Sequence, residues 1–416
     1  MQNRTAVKCG GHMREKFNTI TESTTVKYVE SKKNSVSRMK EILNSFRVYR
    51  DGFAGIHYQL GEVKDEEGYK KAEEGLSRKR PYPFEPETGV RKRDMTERKL
   101  SDRELLEISE DNMEYLRKNY PDFTFSGSFG TQGVKKTRQN ENGMDYCNID
   151  YSVNVGIGFK HKDSKDISDG GFSFCLRDYD SKVFYKMADD YLANYNKMVD
   201  FPEELIIDEQ YYGIVGQLGS YLNGEDLALK TSLLTGKIGQ QVFSERFTLS
   251  HDVSDKETWF HPFWDGDGCT LKNDRLLLID HGKILTGYAS KKDAQKYNIL
   301  HTGPAYSDNA DIPGTGGLNL RIDRSTKTVK ELLDGRYAVI PVMSYGGGFN
   351  EKGEYTMPVH SSLLFDGEKI LGKLPPFTII SNIFDMFGKD FIGVGSDQPV
   401  FHDKQILFRV KRGEMK

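Results

Sequence analysis

Leu364-Phe365-Asp366-Gly367-Glu368-Lys369-Ile370, Phe377-Thr378-Ile379-Ile380-Ser381-Asn382 and Ile392-Gly393-Val394-Gly395-Ser396-Asp397 close the string, running from Ile299 to Asp397, that decides the fold. Its earlier members are His301-Thr302-Gly303, Leu318-Asn319-Leu320 and Glu331-Leu332-Leu333. Short apolar runs punctuated by glycine and aspartate read as strands joined by turns. An internal echo sharpens this: Leu277-Leu278-Ile279-Asp280-His281-Gly282-Lys283-Ile284-Leu285 against Leu363-Leu364-Phe365-Asp366-Gly367-Glu368-Lys369-Ile370-Leu371. Each copy places an Asp/Gly turn between apolar runs and so predicts a hairpin, although two copies do not make a repeat architecture.

Outward from there, short strands and glycine turns extend back to about residue 230, and Phe201-Pro202 marks a candidate domain boundary because a proline after a helix stops it. Before it, Phe184, Met187, Ala188, Tyr191, Leu192, Tyr195 and Met198 fall at helical spacing and predict a packing face. Residues 123 to 174 read as strands, Tyr151 to Phe159 among them with a period of two. Ser101-Asp102-Arg103-Glu104 is a capping box that opens a helix ending before Pro121. Residues 78–100, with Arg78-Lys79-Arg80 and Arg91-Lys92-Arg93 interleaved with Glu85, Glu87, Asp94 and Glu97, read as a solvated loop and not as a nucleic-acid arm. Residues 63–77 read as a helix, and Phe46 to Tyr58 as a hairpin turning at Asp51-Gly52. Val36, Met39, Leu43 and Phe46 also fit helical spacing.

The 416 residues suffice for two ordinary domains, and 37% hydrophobic content can supply a core for each. A formal charge of −3 creates no global field for nucleic acid or an anionic membrane. Cys9, Cys147, Cys175 and Cys269 lie far apart without CxxC spacing, so neither a disulfide framework nor a cysteine-rich zinc site is expected. Met1 to Thr25 is polar and no run of about 18 apolar residues occurs, which predicts a soluble, cytoplasmic protein.

Metal-assisted hydrolysis needs converging imidazoles with a carboxylate or thiolate and a nearby glutamate base. The nine histidines are His12, His57, His161, His251, His261, His281, His301, His360 and His402, and HExxH is absent. A metal gathered from scattered residues such as His251, His261, His301 or His360 is the remaining enzyme reading. Asp265-Gly266-Asp267-Gly268 fails the calcium-loop pattern, because Cys269 and Leu276 occupy the fifth and twelfth positions, and reads as a turn. Gly314-Thr315-Gly316-Gly317 and Gly346-Gly347-Gly348 match no phosphate-binding fingerprint, and tight turns or close backbone approach explain them better. GxSxG is absent as well.

The order of motifs from Ile299 to Asp397 resembles the TldD/PmbA family, in which PmbA is also called TldE. Asp51-Gly52-Phe53-Ala54-Gly55, Asn142-Gly143, Leu205-Ile206-Ile207-Asp208 and Ser232 to Phe243 extend the resemblance over most of the chain. It implies an α+β fold: an N-terminal α/β domain (residues 1–200), then a larger β-rich domain of antiparallel and mixed sheet (residues 201–416). It also implies strand over Val36 to Phe46. Catalytic relatives carry HExxxH on a helix shortly before the segment that reads Ser232 to Gln240 here. Counting back places that motif on Val215, Gly216 and Ser220, none of which can ligate zinc or act as a base. The surrounding helix keeps the apolar stripe Tyr211, Ile214, Val215, Leu218 and Leu222, with Asp208 as expected N-cap. The cysteine ligand that catalytic relatives place near the C-terminus is missing, since the last cysteine is Cys269. The resemblance thus implies a PmbA/TldE-like subunit with no catalytic or metal residue of its own, zinc being confined to a TldD-like partner. A homodimer or a heterodimer with that partner would follow, acting on unstructured peptides. The residues expected to contact peptide are His301, Thr302, Gly303, Gly346, Gly347 and Gly348. A sheet edge could hold such a peptide through main-chain hydrogen bonds. A DNA-gyrase-linked regulatory module is a third reading, against which the near-neutral charge speaks.

Overall fold

The computed structural model describes residues 12–85, 87–209, 213–254, 258–307, 311–344, 346–402 and 404–414. β1 (Met13–Val29) and β2 (Lys32–Arg50) form a long antiparallel pair, and β2 turns into β3 (Phe53–Leu60) at Asp51-Gly52. Both turn residues are left-handed, with φ of +52° and +79°, as a two-residue hairpin requires. Pairing with β1 therefore decides the ambiguity over Val36 to Phe46 in favour of strand. α1 (Asp65–Glu74) packs on β3 through Gly55, where a Cβ would lie 2.1 Å from the Ala72 carbonyl oxygen.

The charged stretch at 78–100 corrects the solvated-loop expectation. β4 (Arg80–Pro81) pairs with β3, and β5 (Gly89–Asp94) runs parallel to the start of a later strand. The basic residues have distant partners: Arg91 bonds the Asp274 carboxylate, while Arg93 donates to the Val253 and His261 carbonyls at 2.5 and 2.6 Å. α2 (Asp102–Asn119) begins with the capping box and ends before Pro121, as expected. β6 (Phe123–Asn140), β7 (Met144–His161) and β8 (Gly170–Leu176) complete an eight-stranded sheet of order β4-β3-β2-β1-β6-β7-β5, with β8 also on β7. α3 (Ser181–Leu192) buries Phe184, Met187, Ala188, Tyr191 and Leu192. Its stripe is shorter than the spacing suggests, because Tyr195 and Met198 lie past its end and Met198 is exposed.

β9 (Ile206–Glu209), α4 (Gly213–Ser220) and α5 (Gly224–Leu229) follow. β10 (Leu249–Asp252), β11 (Arg275–Asp280) and β12 (Lys283–Ile284) form a four-stranded sheet with β15 (Leu320–Ile322). Between them lie α6 (Lys291–Tyr297) and the pair β13 (Ala305–Tyr306) and β14 (Gly314–Thr315). After α7 (Val329–Leu333) come β16 (Ala338–Ser344), β17 (Gly348–Phe349), β18 (Glu354–Phe365), β19 (Ile370–Leu374) and β20 (Phe377–Asn382). α8 (Ile383–Phe387), β21 (Phe391–Val394), β22 (Ile406–Arg409) and β23 (Lys411–Gly413) end the chain. The second large sheet has order β21-β22-β9-β16-β18-β20-β23, with β17 and β19 on β18. Its β9–β16 pair is parallel and the rest antiparallel, which is the α+β, mixed-sheet architecture expected. Both echoed hairpins form, β11–β12 at His281-Gly282 and β18–β19 around Asp366 to Lys369.

One apolar core joins α2, α3 and the β6–β7–β8 face to Ile206, Ile340, Leu363 and Phe365 of the second sheet. A second core holds α4 and α8 against the other strands. Among the described residues no helix is long and apolar enough to cross a membrane. A buried ionic cluster also links the halves. Glu15 accepts from Arg138 Nη2 at 2.8 Å and from the Tyr49 hydroxyl at 3.0 Å, and Arg138 Nη1 donates to the Asp265 carbonyl at 2.9 Å. Arg138→Met should cost about 3–5 kcal/mol in chemical denaturation, because it strands a buried carboxylate. A loss below about 1 kcal/mol would show that the cluster is not a structural anchor.

Candidate functional site

α4 is helical because Ile214, Val215 and Leu218 recur on one face and bury in the second core. Asp208 is not its N-cap: it sits inside β9 opposite Leu407 and is fully buried, while Tyr211 lies outside the described residues. Val215 and Ser220 are five residues apart, so about 140° of rotation separates them. Val215 is accordingly buried, whereas Gly216 and Ser220 are exposed and the Ser220 hydroxyl donates to the Gln217 carbonyl at 2.7 Å.

The exposed side of α4 borders a cavity of about 380 Å³, closed by β16 and the Gly346-Gly347-Gly348 loop, with Asp208 in its wall. All three glycines have positive φ, and a Cβ on Gly347 would lie 2.5 Å from the Thr356 carbonyl oxygen. Close approach to β18 thus explains that glycine, as the sequence suggests. Val342 and Met343 of β16 also line a second cavity of about 540 Å³ along β8. Ser173 and Phe401 carry that cavity into a third, of about 670 Å³, over Gly130 and Gly156. Shared walls make the three a single trough from the first sheet to α4. Asp208 is the one carboxylate among its described lining residues, and no lysine or arginine lines it.

β16 borders this trough because its pairing is asymmetric. It follows β18 from Ala338 to Ser344 but meets β9 only at Ala338 and Val339. Among the described strands, none pairs with the β9-side edge of Ile340 to Ser344, which is a template for an added strand. β8 approaches from across the trough at Gly170, where a Cβ would lie 3.2 Å from Val342. Sequence reading missed Asp208, Ser173 and the β8 glycines as trough residues, because only the strand order brings them together.

His301, Thr302 and Gly303 do not line the trough, so the expected peptide-binding set divides in two. The Ala289 N–H donates to Thr302 Oγ1 at 3.0 Å, and His301 lies 3.9 Å from the Asp267 carboxylate. One ligand atom each of Asp265, Cys269 and His301 fall within 4.8 Å of one another. Burial pushes the Cys269 thiol up and the His301 imidazole down, leaving both neutral. The Asp265–Asp267 segment is the turn expected: Asp265 Oδ1 accepts from the N–H groups of Asp267 and Cys269.

The other candidate histidines lie elsewhere. His360 faces Asp166 at 3.5 Å, whereas the His251 and His261 rings stand 5.8 Å apart. His251 is buried in β10, its Nδ1 accepting from the Asn319 N–H at 2.8 Å, and burial pushes its pKa down to about 3, with His261 adding to the effect. A depressed imidazole pKa gives stability that is complete above the unfolded value of about 6.5 and is lost as pH falls toward about 3. Unfolding free energy should therefore drop over that window by up to about 1.4 kcal/mol per pH unit from this group. His251→Gln, measured by denaturation at several pH values, should flatten the drop, and an unchanged profile would refute the assignment.

Residues 204–408 match the family described as PmbA/TldA metallopeptidase C-terminal domain. The fold is shared with TldE from Thermococcus kodakarensis (TM-score 0.75, 17% identity, 96% of each chain covered). It is shared too with a proposed modulator of a DNA gyrase from Thermotoga maritima (TM-score 0.77, 18% identity, 97% of this chain and 96% of that one). A proposed modulator of DNA gyrase from Bacteroides thetaiotaomicron gives a TM-score of 0.73 at 14% identity, with 97% of this chain and 94% of that one covered. An uncharacterised protein of Methanocaldococcus jannaschii is 23% identical over 165 residues, a match spanning 40% of this chain and 39% of that relative's length. The second half of the chain, residues 204–408, thus belongs to the TldD/PmbA family as its C-terminal domain, and nearly the whole chain has the fold of these structures.

Proposed function

We propose that this chain is a cytoplasmic, non-catalytic PmbA/TldE-like subunit that holds an unstructured peptide for a TldD-type zinc peptidase. The observation that carries the reading is the trough ending at α4. Its walls mix glycine and small hydroxyl and amide groups with apolar and aromatic side chains such as Val342, Met343, Phe172 and Trp259, with hardly any charge, and the open edge of β16 runs along it. Such a surface suits a peptide main chain and makes little demand on sequence. Gly346 to Gly348 remain peptide-contact candidates, while His301 to Gly303 leave that set. The peptidase would supply the zinc, either as a heterodimer partner or acting on peptide presented by a homodimer. A peptidase in its own right, built on a metal held jointly by these histidines, is less well supported, since His251, His261, His301 and His360 divide among three places. Regulation linked to DNA gyrase has only the relatives' names behind it.

A fluorescent unfolded peptide, followed by anisotropy, tests the trough. Ser173→Trp fills the junction of two cavities and should weaken binding at least tenfold with an unchanged melting temperature; unchanged affinity would remove the trough from the reading. A second check uses Val215→His with Gly216→Glu and Ser220→His. That variant should gain no chelator-sensitive cleavage, because the thiolate ligand that follows this helix in catalytic relatives is still missing, the last cysteine being Cys269. Robust cleavage by it would overturn the view of α4 as a packing helix.

A further inference from the structure

We propose that Asp265, Cys269 and His301 form a site for one divalent transition-metal ion of the zinc type, separate from the peptide trough. Their ligand atoms are mutually within 4.8 Å, and a tetrahedral ion with bonds of about 2.0–2.3 Å would draw them together with small side-chain adjustments. Carboxylate oxygen, thiolate sulfur and imidazole nitrogen in one set favour zinc or cobalt over calcium or magnesium.

The frame is already built. Asp265 Oδ1 is filled by two backbone N–H groups, whereas Oδ2 accepts only from the Ala305 N–H at 3.1 Å and keeps a lone pair for an ion. His301 Nε2 is buried without a hydrogen-bond partner. In the tautomer protonated at Nδ1, this nitrogen has a lone pair free for an ion. On binding, the S–H bond breaks as the metal–sulfur bond forms, and the proton leaves by way of Glu87, whose Oε1 accepts from Sγ at 3.2 Å, to solvent.

Neither Cys269 nor His301 lines the trough, so the ion would act as a clip and not as a catalyst. It would fasten the 265–269 turn to the segment before Gly303 at the point where Arg47 and Arg138 of the first sheet hold that turn. The site does not depend on the peptide reading.

Cobalt titration of the reduced, EDTA-dialysed full-length protein tests it. One equivalent should bind with tetrahedral visible bands and a sulfur-to-cobalt charge-transfer band, all displaced by zinc. Cys269→Ser should abolish the charge-transfer band, and His301→Gln should weaken binding at least tenfold. Zinc should raise the melting temperature of the wild-type chain and not that of Cys269→Ser. Absence of the sulfur band in the wild-type protein, a result that does not depend on either variant folding, would overturn the proposal. So would unaltered cobalt binding in both variants. Peptide anisotropy is read separately, so failure here leaves the trough untouched.

Discussion

The contact on which most else depends is the buried meeting of Glu15, Arg138 and Arg47 beneath the Asp265 turn. Three charges taken out of water are costly unless every polar atom finds a partner. Here the arginines donate to the carbonyls of Asp265 and Gly266 and, from Arg47, to the Ser307 hydroxyl, all in the other half of the chain, while Arg47 Nε stays buried without a partner. The first sheet therefore satisfies its own ions only when the second half is in place. Phe17 stacks under both guanidiniums and shields them from solvent on the remaining side.

That dependence sets the geometry of the trough. With β5 tied to Asp274 and the Val253 carbonyl, the first sheet is held against the four-stranded sheet, and α2 and α3 fill the apolar space toward β16. β8 then faces β16 across a gap and does not pair with it. The gap stays open because β9 leaves β16 after two residues and because Gly158, Gly170 and Gly171 place no side chains in it. The trough thus arises from strands that end early and residues that lack side chains.

Much of the fold was legible because its signals are local. Asp51-Gly52, Ser101 to Glu104, the turn before Pro121 and the two echoed Asp/Gly hairpins each act within about four residues, and all appear where expected. What escaped is non-local. Arg91 and Arg93 look like a solvated charge run until Asp274, Val253 and His261 are brought to them from more than 150 residues away. Asp208 looks like a cap because it precedes a helix, but its place is set by pairing with Leu407. The candidate site divides the same way. The glycine loop at 346–348 was visible as a loop, whereas the approach of Cys269 to His301 crosses 32 residues with no spacing motif and could be seen only in the fold.

α4 is a helix held in place by apolar packing. Its stripe of Ile214, Val215 and Leu218 supports the second core, and beside it the buried Gly219 lets β15 approach so closely that a Cβ would lie 2.5 Å from Leu320. Neither demand involves an ionisable group. A polar side chain at Val215 would lose apolar burial and bring a desolvation cost of about 1–3 kcal/mol unless an ion or a hydrogen bond compensated it. Valine at that position removes the cost and, with it, any hold on a metal. The apolar helix and the sparsely charged trough beside it thus fit together: on the proposed reading, the wall is kept for its shape.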